Sequence, residues 1–213
     1  MSPFSRYYLV ESRPVLLREW VPSSPREALV KEIVSSCGAA AGFTLQDLWP
    51  NPAKARKKLL ALHRAGYLYL HKLRGEREMN VFSLSSTFPL DPGLRQLAVA
   101  QLYARLKRAR DCRLVPQDPP GYRWLLSYGE KSLQVFTLRK SDDPLLLLPL
   151  LKQPAVVVAE SFTDAFKGFP VRLVLDEELV SGPLKFYLPD GRVDEEAAVW
   201  WGEKICQNFK TTS

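Results

Sequence analysis

The sequence is poor in the residues that build metal centres and disulfide frameworks. Its 213 residues include three cysteines and two histidines, and no Cys-x-x-Cys or Cys/His cluster occurs. P-loop, Gly-x-Gly-x-x-Gly and Gly-x-Ser-x-Gly motifs are also missing. Three buried thiols in a reducing compartment are the simplest interpretation of the cysteines. We therefore predict that the protein holds no metal and no cofactor.

Long apolar runs are missing as well. The most apolar stretch, Leu145–Leu151, has seven residues, whereas a membrane-spanning helix needs about 20. The first 25 residues carry five charged side chains and do not have the pattern of a signal peptide. The sequence predicts a cytoplasmic protein with no membrane partner.

Positive charge is concentrated in the first half of the chain. Residues 1–110 hold 18 Lys and Arg against 8 Asp and Glu, whereas residues 111–213 hold 12 against 15. This uneven distribution indicates two functional parts, of which the first meets a polyanion. We predict one domain over residues 1–90 and a second over residues 91–213.

Capping signals predict three helices between residues 24 and 66. Ser24-Pro25 is typical of a helix start, and Asn51-Pro52 repeats the signal for a third helix that ends near Gly66. Between them, Thr44 is expected to cap a short second helix over residues 45–49.

A β-hairpin is predicted directly after the third helix. The runs 68–73 and 79–84 are rich in β-forming residues and flank a charged turn that contains glycine. A fourth helix is expected over residues 92–110. Three helices followed by a hairpin form the arrangement of a winged helix-turn-helix, which we predict for the N-terminal domain.

The second half of the chain alternates between strand and helix patterns. It predicts a mixed sheet with helices packed on it, and the fold class of the whole chain is therefore α+β. The predicted strands are 122–128 and 132–138, which form a hairpin, and then 155–160, 171–176 and 184–188. The predicted helices lie near 142–152, 162–167 and 193–207.

The third predicted helix carries an apolar stripe and a basic face. Ala55, Leu59 and Leu62 recur at i, i+4 and i+7, which favours their burial in the core. At about 100° per residue, Lys57 and Arg64 project opposite this stripe. The recognition helix of a helix-turn-helix protein enters the major groove of DNA, so we expect this face to meet base pairs and phosphates.

Eight basic side chains between residues 51 and 80, against two acidic ones, form the predicted DNA-binding set. Such a cluster neutralises phosphates, and the side chains that reach base edges supply specificity. The predicted contacts are Lys54, Arg56, Lys57, Lys58 and Arg64 on the helix, and Lys72, Arg74 and Arg77 on the hairpin. Asn51, Tyr67 and Tyr69 are weaker candidates, with helix capping and hairpin packing as their alternative roles.

The stretch from about residue 28 to residue 140 resembles the replication-relaxation family of plasmid and integrative-element proteins. The matching pieces are the segments 54–85 and 94–109 and the paired strands 122–128 and 132–138. The resemblance implies a winged helix joined to a domain of restriction-endonuclease-like topology. It also implies sequence-dependent binding of double-stranded DNA in replication, conjugative transfer or transcription control of a mobile element.

A nuclease of that topology would carry an aspartate on its first core strand and an acid-x-lysine motif on the next, with Mg²⁺ between the acids. The sequence offers Asp118, but it has Thr137-Leu138-Arg139 where the motif belongs. We therefore predict a degenerate domain and no enzyme, with a metal-dependent nuclease as the less favoured alternative.

Glu160, Asp164 and Asp176 follow predicted strands, where ligand sites of α/β proteins gather, and form a weak second candidate site.

Three features of the second half favour a role in assembly. Its charge balance is acidic, the segment Leu145–Leu151 is apolar, and the adjacent Trp200 and Trp201 would project about 100° apart from one helix. One of these tryptophans could anchor an interface. The expected partner is a second copy of the chain or a replication or transfer protein, and a protein-protein adaptor is the alternative function.

Overall fold

The computed structural model describes residues 2–119 and 121–197 of the chain. The chain divides into two compact units, one over Phe4–Ala104 and one that combines Met1–Pro3 with Arg105–Ser213. Two sheets and several helices are present, which confirms the predicted α+β class.

The first unit is built around a four-stranded antiparallel sheet. Its elements in chain order are β1 (Tyr7–Arg13), α1 (Pro25–Cys37), β2 (Ala39–Ala41), α2 (Gly42–Gln46), α3 (Pro52–Arg64), β3 (Tyr69–Gly75), β4 (Glu78–Ser83) and α4 (Leu90–Ala109), the last of which crosses the division at residue 104. The strand order is β1-β3-β4-β2. The predicted hairpin is confirmed as β3 and β4, which pair from Tyr69 opposite Ser83 to Arg74 opposite Glu78.

The predicted caps of α1 and α3 are confirmed. The Ser24 hydroxyl accepts a hydrogen bond of 3.3 Å from the Glu27 backbone N–H, and the Asn51 side chain accepts one of 3.0 Å from the Lys54 N–H. Each cap satisfies an N–H that the first helical turn leaves without a partner. Gly66 follows α3 with a φ of 80°, a conformation that favours glycine.

The predicted role of Thr44 is wrong. Helix α2 starts at Gly42, and the Thr44 side chain lies buried inside it, where its hydroxyl donates a 2.5 Å hydrogen bond to the Gln101 side chain. The physical reason is strand β2, which the sequence did not predict. It pairs with β4 and runs directly into α2, so the helix begins earlier than residue 45.

The apolar stripe of α3 is buried as predicted. Ala55 and Leu59 are fully buried and Leu62 is 4% exposed. Helix α1 contributes Val30 and Ile33 to the same core, both fully buried. Burial of one face fixes the rotation of α3 about its axis and leaves its basic face in solvent.

His71 is a buried polar centre of the sheet. Its Nδ1 lies 2.8 Å from the Ser12 hydroxyl, and its Nε2 lies 2.8 Å from the Ser83 hydroxyl and 3.1 Å from the Ser85 carbonyl. A neutral imidazole satisfies this set, because Nε2–H can donate to the carbonyl while Nδ1 accepts from Ser12. Burial lowers the pKa of His71 below the usual histidine value.

The buried neutral state of His71 predicts a loss of stability in mild acid. Histidine in the unfolded chain has a pKa of about 6.5. Below this pH the unfolded chain binds a proton at His71, whereas the folded chain does not. The free energy of unfolding should fall by up to about 1.4 kcal/mol per pH unit until the pH reaches the lowered pKa of His71. Urea unfolding at pH 7.5, 6.5 and 5.5 measures this slope in the parent and in His71→Gln, which does not titrate. Equal slopes in the two proteins would contradict the prediction.

The second unit is built on a five-stranded mixed sheet. Its elements are β5 (Arg113–Gln117), β6 (Arg123–Tyr128), β7 (Lys131–Leu138), β8 (Ala155–Ala159), β9 (Val171–Leu175) and α5 (Asp176–Val180). The strand order follows the chain from β5 to β9, with antiparallel pairing among β5, β6 and β7 and parallel pairing among β7, β8 and β9. This pairing confirms the mixed sheet predicted from the sequence. The core of the unit includes Phe136, Val157, Phe166 and Leu173.

Two local predictions in the second unit are wrong, and a third is confirmed. The helix predicted near residues 142–152 is present as a 3₁₀ helix over Pro144–Leu150, which contains two prolines without an N–H. The helix predicted near 162–167 is absent, because only residues 165–168 form a turn, which ends at Gly168 with a φ of 88°. The segment 184–188 is not a strand, because only Tyr187 pairs with β9, through Leu173.

Some predictions lie outside the described residues. Residues 198–213 include most of the last predicted helix, together with Trp200, Trp201 and Cys206. Within residues 2–119 and 121–197, no helix has the length and apolar character needed to span a bilayer.

Candidate nucleic-acid interface

The exposed face of α3 presents four cations to solvent. Lys54, Arg56, Lys57 and Arg64 are all exposed, while the stripe on the other side of the helix is buried. Asn51 caps the helix at the end where Lys54 lies, which is the alternative role predicted for it. The structure therefore brings four of the five basic residues predicted on this helix to one solvent-facing surface, which we call the α3 basic face.

The cations of the α3 basic face are not neutralised by neighbouring acids. Among the described residues, no carboxylate lies within 4.0 Å of the nitrogens of Lys54, Arg56, Lys57 or Arg64. The same holds for Arg77 at the tip of the hairpin, which is also exposed. Their charge is directed to solvent, where it can attract an anionic ligand.

Lys58 is placed differently from its neighbours on α3. Its Nζ lies 2.5 Å from a carboxylate oxygen of Glu27, whose side chain is 3% exposed, while the Lys58 side chain is 45% exposed. The other Glu27 oxygen accepts a 2.8 Å hydrogen bond from the Ser23 backbone N–H. Burial opposes ionisation, but the hydrogen bonds from Lys58 and Ser23 outweigh it and hold the pKa of Glu27 below its usual value. Lys58 thus balances a buried charge of the fold.

Two of the three predicted hairpin cations, Lys72 and Arg74, are paired with acids. Lys72 lies 2.8 Å from Glu78, and Arg74 lies 3.2 Å from Glu11 and 3.5 Å from Glu78. The hydrogen bond from Lys72 holds the pKa of Glu78 below its usual value, so this acid stays ionised at neutral pH. The net positive charge of the hairpin is therefore smaller than its count of cations indicates.

The two weaker aromatic candidates make ring contacts within the fold. Tyr67 stacks on Trp20 with ring centroids 5.9 Å apart and an interplanar angle of 7°. Tyr69 stacks on His71 at 6.4 Å. Because both tyrosines stack on buried rings, they have the packing role that was predicted as the alternative to DNA contact.

Sequence reasoning missed Glu27, the acid that engages Lys58. The pattern Ser24-x-x-Glu27 is that of a capping box and could have drawn attention to this carboxylate. Its partner Lys58 lies 31 residues further along the chain, and no local pattern joins the two.

The strand ends of the second unit bring a different set of charges together. Asp176 is fully buried and follows β9; it receives a 2.5 Å hydrogen bond from the Ser2 hydroxyl and contacts the guanidinium of Arg139, which follows β7. Burial raises the pKa of Asp176, and the Arg139 charge opposes that shift. Glu160 follows β8 and accepts a 3.0 Å hydrogen bond from the Lys140 backbone N–H. Of the predicted acids, Glu160 and Asp176 therefore end neighbouring strands, and Asp176 is held in an ion pair.

The residues considered for nuclease chemistry differ in their exposure to solvent. Asp118 is exposed after β5, whereas Thr137 and Arg139 are buried at the end of β7. In the part of the chain that the structure describes, no group of three His, Cys, Asp or Glu side chains could hold a metal ion.

Comparisons with protein-family models, with curated proteins and with solved structures find no match to this chain. The resemblance to the replication-relaxation family accordingly stays a prediction.

Proposed function

We propose that the first unit is a winged helix that binds double-stranded DNA, with α3 as the recognition helix and the β3–β4 hairpin as the wing. The observation that carries this proposal is the α3 basic face. It combines four exposed cations, no described acid within 4.0 Å, and a buried stripe that fixes the helix orientation. Phosphate neutralisation by such a face supplies most of the non-specific affinity of a protein for duplex DNA.

The element order of the first unit supports the same proposal. Helices α1, α2 and α3 follow one another with the short strand β2 between the first two, and the antiparallel pair β3–β4 comes directly after α3. Helix-turn-helix proteins present the recognition helix to the major groove, and its first residues contact base edges. Lys54 and Lys57 occupy that part of α3, so sequence preference is expected to depend on them.

The setting of this activity rests on the resemblance described for the sequence. On that resemblance we propose a role in replication, conjugative transfer or transcription control of a mobile element. A cytoplasmic location and the lack of catalysis are proposed from the sequence features described above. The second unit then serves as a non-catalytic module whose nuclease-like topology stays a prediction.

Salt-dependent binding of duplex DNA tests the proposal. Fluorescence anisotropy titrations of a labelled duplex at several salt concentrations yield the slope of log K against log salt. Five exposed cations without acidic neighbours should give a slope of about −3 to −5, since each neutralised phosphate contributes about −0.9. Selection of bound genomic fragments would then identify the preferred sequence. The absence of binding to any duplex at low salt would overturn the proposal.

Glu78 is expected to weaken DNA binding, so its neutralisation should strengthen it. Glu78→Gln removes the carboxylate that holds Lys72 at 2.8 Å and Arg74 at 3.5 Å. One more cation would become available to a phosphate, and affinity should rise about three- to eightfold at 0.1 M salt. The matched control is Glu19→Gln, which makes the same charge change at an exposed acid without an ion pair among the described residues. Equal affinities for the two variants would show that Lys72 and Arg74 do not meet DNA.

A partner-docking function of the second unit is the second candidate. Leu145, Leu146 and Leu150 of the 3₁₀ helix are 59%, 74% and 47% exposed, and clustered apolar exposure of this kind is common at protein interfaces. Light scattering at tens of micromolar distinguishes the expected homodimer from a monomer. A monomer would exclude the homodimer and leave the DNA-binding proposal unaffected.

A further inference from the structure

A concave groove of about 480 Å³ lies in the first unit between α3 and one face of the sheet. It is lined by side chains of α2, α3 and three strands, so it depends on the folded unit as a whole. The polar and charged residues that line it are Arg13, Gln46, Arg56, Lys72, Glu78 and Asn80.

The groove is positively charged. Arg13 and Arg56 are exposed, and neither has a described carboxylate within 4.0 Å. Lys72 is paired with Glu78 at 2.8 Å, so three cations and one acid leave a net formal charge of +2. Guanidinium groups present several N–H donors in a fixed plane, which suits the oxygens of a phosphate.

Strand pairing places Arg13 on the groove side of the sheet. Arg13 is the last residue of β1 and lies opposite Leu70 of β3. Side chains at Leu70 and Lys72 share a face, because residues two apart in a strand point the same way, and Asn80 lies opposite Lys72. Arg13, Lys72 and Asn80 therefore converge on one face, and Arg56 approaches it from α3.

We infer that this groove binds one phosphodiester of the DNA backbone and that Arg13 is a DNA-contacting residue of the protein. The inference rests on the proposed function and extends it, because it brings β1, an element outside the three helices and the hairpin, into the interface. The groove is bounded by Arg56 of the proposed recognition helix and Lys72 of the proposed wing. A strand of DNA held by both elements passes between them, with its phosphates facing the guanidinium groups. The carboxamides of Gln46 and Asn80 supply uncharged donors to the same oxygens.

Substitution of Arg13 tests the inference in the full-length chain. Arg13→Ala should lower affinity for duplex DNA about eightfold at 0.1 M salt and make the salt slope shallower by about 0.9. Arg13→Lys keeps the charge and should recover most of the slope. Arg113→Ala is the matched control, since Arg113 is an exposed arginine of the second unit without a described acid within 4.0 Å, and it should bind like the parent. Thermal unfolding checks that all three variants remain folded.

The outcomes distinguish a failure of the groove inference from a failure of the winged-helix proposal. If the parent binds DNA and Arg13→Ala matches Arg113→Ala, the groove inference is overturned and the winged-helix proposal stands. If the parent binds no duplex, both are overturned. The groove could also bind a free phosphate ion instead of a DNA phosphodiester. An NMR titration with inorganic phosphate, which follows the side-chain N–H groups of Arg13 and Arg56, tests this alternative. Shifts with phosphate in a protein that does not bind DNA would assign the groove to a small anion and overturn the inference.

Discussion

Lys57→Glu should reduce affinity for duplex DNA about 60-fold at 0.1 M salt, because reversal of one charge removes the equivalent of two phosphate interactions. Lys57 is exposed near the middle of the α3 basic face, about 165° around the helix from the centre of the buried stripe. Its side chain has no described carboxylate within 4.0 Å, so no ion pair of the fold is lost. The free energy of unfolding should change by less than about 0.5 kcal/mol.

Anisotropy titration and thermal unfolding of the same preparation measure both parts of this prediction. Lys152→Glu is the matched control, since it makes the same charge change at an exposed lysine of the second unit. If Lys57→Glu binds as tightly as Lys152→Glu while both stay folded, α3 does not carry the DNA surface. The first unit would then fit a protein-protein adaptor better.

Lys57→Ala adds information on base reading. If Lys57 contacts a base edge, its truncation to alanine should cost about 1–3 kcal/mol of binding free energy, and the preference for one base at that position should weaken. A lysine that contacts only phosphate should weaken all duplexes alike. Titration of a set of duplexes with single substitutions separates these two results.

Local signals in the sequence were sufficient for the helices that position the candidate interface. The caps at Ser24 and Asn51 and the stripe on α3 depend on residues within a few positions of one another, and the structure confirms them. Helical periodicity then dictates that Lys57 and Arg64 face solvent. The rotation of the basic face could therefore be predicted without any knowledge of tertiary contacts.

Features that depend on distant partners could not be predicted in this way. Strand β2 consists of three alanines, which carry little strand preference, and it forms because β4 lies beside it. Its pairing moves the start of α2 and places Thr44 inside the helix. A pattern limited to neighbouring residues assigned Thr44 to a cap because that hydroxyl is a good capping group in isolation.

The same limit applies to the charges. A count of cations treats the helix and the hairpin alike, whereas the structure pairs Lys72 and Arg74 with Glu78 and leaves the α3 basic face without acidic neighbours. Arg13 was not among the predicted contacts, because its place in the groove follows from the register of β1 on β3. The electrostatic centre of the candidate interface therefore lies on α3 and the adjoining groove rather than on the hairpin.

Lys58→Ala should destabilise the protein by about 1–3 kcal/mol, in contrast to the same change at Lys57. It leaves the Glu27 carboxylate, which is 3% exposed, without the cation that lies 2.5 Å away. Removal of one partner of a buried ion pair costs about 3–5 kcal/mol, and we expect less here because Lys58 is 45% exposed and the Ser23 N–H still binds Glu27. On a helical wheel Lys58 lies about 65° from the centre of the stripe, which brings it to the edge of the core.

A double-mutant cycle with Glu27→Gln isolates this interaction. Urea unfolding of the parent, the two single variants and the double variant gives the coupling free energy. In the Glu27→Gln background, Lys58→Ala should cost little, because a neutral amide needs no cation. The affinity of Lys58→Ala for duplex DNA, measured where the protein is fully folded, should fall less than that of Lys57→Ala. If stability is unchanged and affinity falls as far as it does for Lys57→Ala, Lys58 contacts DNA and its pairing with Glu27 contributes little to the fold.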